Sequence, residues 1–235
     1  MPTCTALIVA AGRGSRFGGP LPKQYAQLGG QTVLRHSLEA FRATTSINQL
    51  RVVIGSGDET HYEAAVAGLG LPAPVLGGAT RQQSVLNGLE VLATAPPDFV
   101  AIHDAARPFA SAALFGRVLS GMAGFDGAVP VIPSADTVKR VRGGRVLETV
   151  PRGELGLVQT PQAFGTEALT EAHRKAGGTS MDATDDSMLL EVAGYRVAAV
   201  EGEATNFKIT TQDDLRRGER HLADLQHDRA PEGAR

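Results

Sequence analysis

The chain has 235 residues, 42% of them hydrophobic and 20% charged, with a formal net charge of -2. That is enough to bury one full core, and it gives no overall basic field. A protein whose main partner is nucleic acid is therefore disfavoured, and any anion site must be local. Cys4 is the sole cysteine, which rules out an intrachain disulfide and leaves a structural zinc site without its usual thiolates. No stretch approaches the ~20 apolar residues of a membrane helix and no charged leader precedes the first apolar run, so a cytoplasmic protein without a membrane partner is expected.

In chain order, TALIVA (5–10) reads as a strand. It is followed by an amphipathic helix over 33–43, the strand LRVVIG (50–55), a helix over 59–67 and the run PAPVLG (72–77). A helix over 82–93, the strand DFVAIH (98–103), a helix over 112–122 and the strand GAVPVI (127–132) continue the alternation. The expected class is α/β: a mostly parallel, Rossmann-like sheet between helices. From Asp136 the rhythm changes, because DTVKRVRGGRVLETV holds two β-type runs about Gly143-Gly144, a hairpin signal. This arm, over about 136–158, alternates Val138, Val141, Val146 and Val150 with charges and would be poorly buried alone, so a homodimer through it is expected. A helix over 167–176, one starting around Thr184, the strand YRVAAVEG (195–202) and a helix over 212–223 complete a single domain over 1–226. The polar tail 227–235 is expected to be disordered.

Ala10-Ala11-Gly12-Arg13-Gly14-Ser15-Arg16 follows directly on the first strand, where open α/β sheets place ligands beyond the carboxyl ends of their strands. Gly12 and Gly14 let backbone N–H groups turn towards an anion, and Arg16 and Lys23 add cations that suit a triphosphate. The loop lacks the GK[ST] of a Walker A motif and the third glycine of the dinucleotide fingerprint. Read alone, its GxG is equally a plain glycine turn. Asp104, ending the strand DFVAIH, can face the same cleft or cap a turn and pair with Arg107. His103 reads as a packing residue behind them.

Together with PKQY (22–25), the loop resembles the signature of the 2-C-methyl-D-erythritol 4-phosphate cytidylyltransferases, in the nucleotide-diphospho-sugar transferase superfamily. The resemblance continues through GGATRQQSVLNGL (77–89), HDAARPF (103–109), DTVKR (136–140), TVPR (149–152), QTPQAF (159–164), ATDD (183–186) and NFKIT (206–210). It implies attack of a substrate phosphate oxygen on the α-phosphorus of CTP, with pyrophosphate leaving and Mg²⁺, or another divalent cation, on the phosphates. Arg16, Lys23 and Lys208 are the implied catalytic cations. Ala10, Ala11, Gly12, Gly14, Gly77, Gly78, Ser84 and Ala105 would line the nucleotide, and no protein side chain is assigned as a metal ligand.

Asp104, Arg107, Thr137, Arg152, Thr160 and Thr184 would hold methylerythritol phosphate. Among them Thr137 and Arg152 would reach from the arm into the neighbouring subunit's site. Thr184 with Asp185 is equally a helix N-cap, and Thr137 and Arg152 are equally ordinary exposed residues of a β-arm. Two departures stand out: Ala79, where the family often has an acidic or other polar residue, and Pro151 before Arg152. The competing readings are a ribitol 5-phosphate cytidylyltransferase, sharing the CTP loop, and a non-catalytic nucleotide-binding module.

Overall fold

The computed structural model describes residues 2–14, 16–19, 21–177 and 183–229. Strand β1 (Cys4–Ala10) lies at the centre of the sheet, with β4 (Gln49–Ile54) parallel on one side and β6 (Phe99–Asp104) parallel on the other; β5 (Val75–Leu76) extends the sheet beyond β4. The strand alternation sorts side chains between two apolar layers. Ala6, Ile8, Val52, Ile54 and Ala101 face one layer and Leu7, Val53, Val100 and Ile102 the other, as period-2 side chains must in a sheet covered on both faces.

Helices α1 (Val33–Arg42), α2 (Glu59–Val66) and α4 (Ala112–Gly121) contribute to the first layer, and α3 (Arg81–Leu92), α5 (Thr166–Gly177) and α6 (Asp186–Val192) to the second. Their starts follow local chemistry. Thr32, Thr80, Ser111 and Asp185 each accept an N–H from the first turn of α1, α3, α4 and α6, the usual function of short polar N-caps. The helix expected around Thr184 accordingly begins at Asp186. A 3₁₀ turn (Lys23–Tyr25) and the short antiparallel pair β2 (Gln27–Leu28) and β3 (Gln31–Thr32) connect the first loop to α1.

The parallel pattern breaks between β6 and β7 (Gly127–Pro133). There the chain 156–165 runs antiparallel in two pieces: β10 (Gly156–Val158) pairs with the end of β7, and β11 (Gln162–Gly165) is wedged between β6 and the start of β7. β12 (Val197–Glu201) lies parallel on the other side of β7. Within the arm expected over about 136–158, β8 (Val138–Arg142) and β9 (Arg145–Val150) form a separate hairpin, while 156–158 belong to the main sheet as β10. Gly143 and Gly144 have φ of 55° and 75° at its tip, the pair of positive values a tight hairpin turn demands.

α7 (Gln212–Arg229) packs through Leu215 and Leu222 on a satellite cluster with Phe17, Leu28, Val33 and Ile209. It runs past the expected end near Ala223, so 227–229, assigned to a disordered tail, are helical, and 230–235 lie outside the described residues. Among the described residues no helix is long and apolar enough to cross a membrane.

Candidate active site

Strands β1 and β6 end side by side, and the loops that leave them form the floor of a cleft of about 700 Å³. Ala10, Ala11, Gly12 and Gly14 form one lip, and Gly77, Gly78 and Ser84 a second that meets it at Ala11. Asp104, Ala105, Lys23 and Lys208 close it. Eleven candidate residues scattered over some two hundred positions are thus brought to one cavity.

Gly77 is required by space, since a Cβ there would lie 2.6 Å from Ala11 Cβ and 2.7 Å from Ser84 Oγ. The Ser84 hydroxyl is already engaged. It donates to the Thr80 carbonyl at 2.8 Å and accepts the Gly78 N–H at 3.1 Å, so it shapes the turn and keeps one acceptor lone pair. Ala79, on the same lip, offers no polar side chain.

The electrostatic centre is Asp104. Its carboxylate receives the Lys208 ammonium at 2.6 Å and the Arg81 guanidinium at 3.5 Å. Burial alone would raise its pKa, but Lys208 and Arg81 outweigh that and hold it far below the usual carboxylate range. Arg81, the first residue of α3, continues the network to Asp186 at 2.7 Å, which accepts His173 Nε2 at 3.0 Å. Among the described residues Lys23 has no carboxylate at bonding distance, and burial, reinforced by the positive charge of Lys208, lowers its pKa to about 8. Arg16 is exposed and outside the cavity lining, yet its charge also bears on Lys23.

A second cavity of about 530 Å³ shares Arg81, Asp104 and Lys208 with the first and adds Arg107, Thr160 and Thr184. Arg107 reaches over it, donating to the Asn206 carbonyl at 2.8 Å. Thr160 sits at the break between β10 and β11, and the proton on His103 can be inferred from its neighbours. His103 Nε2 faces the Arg107 carbonyl at 3.0 Å, which can only accept, so Nε2 carries the hydrogen. Nδ1 then accepts the Thr160 hydroxyl at 3.1 Å, leaving that oxygen free to accept the Asp104 N–H at 3.0 Å. Burial lowers the His103 pKa to about 4, which keeps the ring neutral. His103, read as packing, orients both Thr160 and the end of β6. Thr184 is exposed, with its hydroxyl 3.9 Å from Met188 Sδ.

The arm residues are not brought to either cavity within this chain. Thr137 is exposed, and Arg152 donates to the Ala135 carbonyl at the base of the arm. Three residues of the site were not singled out from sequence: Arg81, Asp186 and Gln24. An arginine opening a helix beside a glycine turn was a usable signal for the first.

A sequence model of the 2-C-methyl-D-erythritol 4-phosphate cytidylyltransferase (IspD) family matches residues 4–224. The chain is 49% identical over 221 residues to a protein of Rhodospirillum rubrum called bifunctional enzyme IspD/IspF, covering 94% of this chain and 57% of that one. A Paramagnetospirillum magneticum protein of the same name is 48% identical, covering 92% and 56%. The chain thus spans little more than half the length of these relatives. Among solved structures, the 2-C-methyl-D-erythritol 4-phosphate cytidylyltransferase of Thermus thermophilus is similar with a TM-score of 0.78 and 40% identity, covering 92% of this chain and 98% of that one. The 4-diphosphocytidyl-2C-methyl-D-erythritol synthase of Anaerococcus prevotii gives a TM-score of 0.83 at 30% identity, covering 94% and 99%.

Proposed function

The chain belongs to the 2-C-methyl-D-erythritol 4-phosphate cytidylyltransferase family, and from that premise we propose that it transfers the cytidylyl group of CTP to 2-C-methyl-D-erythritol 4-phosphate and releases pyrophosphate. The observation that carries the reading is the convergence of Lys23, Lys208 and Arg81 on a cleft at the carboxyl ends of β1 and β6, with Asp104 between the two cavities. An acceptor phosphate is anionic near neutral pH, so its oxygen can attack the α-phosphorus without a general base. The bond to the β-phosphate oxygen breaks, and charge grows on the departing pyrophosphate. Lys23, with Arg16 beside it, meets that charge, while Lys208 holds phosphate oxygens near the point of attack. Asp104 keeps Lys208 and Arg81 extended into the space between the two substrates and offers an acceptor for substrate hydroxyls.

A magnesium ion fits this donor set as a passenger of the triphosphate. Asp104 is the carboxylate lining the nucleotide cleft, and among the described residues no cluster of three acids, histidines or cysteines is present. Phosphate oxygens and water would complete its octahedron, and it would supply charge neutralisation across the phosphates. A cytoplasmic location belongs to the same proposal and is supported by Cys4, a free buried thiol suited to a reducing compartment.

The arm supports a homodimer with a shared site. Val141, Val146 and Leu147 are 58%, 61% and 49% exposed, apolar surface that a second copy would cover. Arg152 and Thr137 would then contact acceptor bound in the other subunit. Mixing Arg16→Ala and Arg152→Ala proteins under subunit exchange is expected to restore up to about a quarter of wild-type turnover, since half of the chains pair as heterodimers with one intact site each. Recovery no greater than the sum of the separate variants would show that each site is built from one chain.

The direct test is pyrophosphate release with Mg²⁺ and CTP in the presence of methylerythritol phosphate, ribitol 5-phosphate or no acceptor. Release that needs both CTP and methylerythritol phosphate is expected. Preference for ribitol 5-phosphate would reassign the acceptor, and CTP binding without release would leave a nucleotide-binding module.

A further inference from the structure

The first loop owes its shape to a side chain outside it. Gln24 is 2% exposed and lies in the same 3₁₀ turn as Lys23. Its side-chain Nε2 donates to the Ala10 carbonyl at 2.5 Å and to the Gly12 carbonyl at 3.2 Å. A trans peptide holds its C=O and the following N–H on opposite sides. Tying these two carbonyls to Gln24 therefore turns the N–H groups of Ala11 and Arg13 away from it. Among the described residues the N–H groups of Gly12, Arg13 and Gly14 donate to no protein acceptor. The neighbouring residue completes the brace, because the Lys23 stem packs against Gly14 while its ammonium stands in the cleft.

We propose that Gln24 is a positioning residue that presets the peptide orientation of the phosphate loop, so that loop N–H groups and the Lys23 ammonium meet the same triphosphate without rearrangement. The inference rests on the cleft being a triphosphate site, as proposed above. Its physical content is preorganisation: dipoles fixed before the ligand arrives cost no reorganisation at the reaction step. Without the amide, either peptide is free to flip and aim a carbonyl oxygen at the phosphates.

Two variants of nearly the same size separate positioning from packing. Gln24→Met removes the donor and leaves the loop untied at every pH. Gln24→Glu replaces the donor by an acceptor facing two carbonyl oxygens when ionised, but regains one O–H donor when protonated, which burial favours. Both should lower kcat/KM for CTP by about 100-fold near neutral pH, the scale of losing one preorganised donor group. The ratio of Gln24→Glu to Gln24→Met activity should then rise at least several-fold as the pH is lowered from about 8 to about 6, over which a raised carboxyl pKa titrates.

The same comparison is made by calorimetric titration of inorganic triphosphate, which needs no acceptor. If the wild type binds triphosphate but turns over none of the acceptors, the assigned reaction fails while the affinity ratios still judge Gln24. Variants within about threefold of wild type in both readouts, a ratio flat with pH, or a wild type that binds neither CTP nor triphosphate would overturn the proposal.

Discussion

Replacing Lys23 by alanine is expected to lower kcat about 10³-fold while leaving the melting temperature unchanged within a few degrees, the activity loss being the upper end of what one electrostatic donor to a developing charge contributes. The two effects separate because of how Lys23 is held. Burial and the neighbouring Lys208 charge depress its pKa to about 8 from 10.5. The fold therefore disfavours the charged amine, and the unfolded chain binds more protons between those two values. By linkage, stability from this group rises as pH rises through that window, so deleting the cation at neutral pH removes a strained charge rather than an anchor. On the proposed reaction, its worth appears when a triphosphate supplies the negative partner.

The same reasoning sets the sign of the pH dependence. In the free enzyme, kcat/KM for CTP should fall as pH rises above about 8, where the ammonium deprotonates. In the CTP complex the phosphates favour the charged form, so the limb in kcat should move to higher pH. Equal loss of stability and activity in Lys23→Ala, or a wild-type limb that does not move on saturation, would assign Lys23 a packing role.

Asp186→Ala is expected to cost about 3–5 kcal/mol of folding stability, the range for removing one partner from a buried ion pair. Asp186 is 1% exposed and takes charge or hydrogen bonds from both Arg81 and His173. Burial opposes its ionisation, yet the Arg81 charge and the His173 bond prevail and leave its pKa below the usual carboxylate value. A depressed carboxylate pKa contributes stability that is present above the unfolded value and is lost as pH falls through the folded one. The gap between wild type and Asp186→Ala, measured by denaturant unfolding, should therefore be full at neutral pH and close as the solution is acidified below about pH 4. A gap under about 1 kcal/mol at neutral pH would mean that water already reaches this pair. Activity should fall as well, because Arg81 would be released from one of the two carboxylates that fix it over the cleft.

Much of the fold was legible because its signals are local. Short apolar runs marked β1, β4, β6 and β12, amphipathic segments between them marked the helices, and Gly143-Gly144 announced the hairpin. The antiparallel pair β10 and β11 escaped for a physical reason. GLV and QAFG are too short for periodicity to distinguish strand from loop, and their direction depends on where the arm returns the chain. In the site, Lys23, Lys208 and Asp104 could be named from their motifs. The partnerships of Arg81 could not, since Asp186 lies 105 positions away in sequence and only the packing of α3 and α6 against α5 brings their first residues together. Gln24 was hidden differently: an amide in a short turn reads as a surface group, and nothing local marks it as buried beneath a glycine loop.

The chain leaves the sheet after Pro133 and re-enters at Gly156, and these two residues are paired directly across the ladder. Everything between them is a detour that departs from and returns to one point of the sheet's edge. Lengthening such a detour adds closure entropy only logarithmically, and no layer of the core passes through it. The 134–155 segment can accordingly diverge in length and character under pressures set by what it touches outside its own domain, while the cleft beside it stays under the separate discipline of phosphate chemistry.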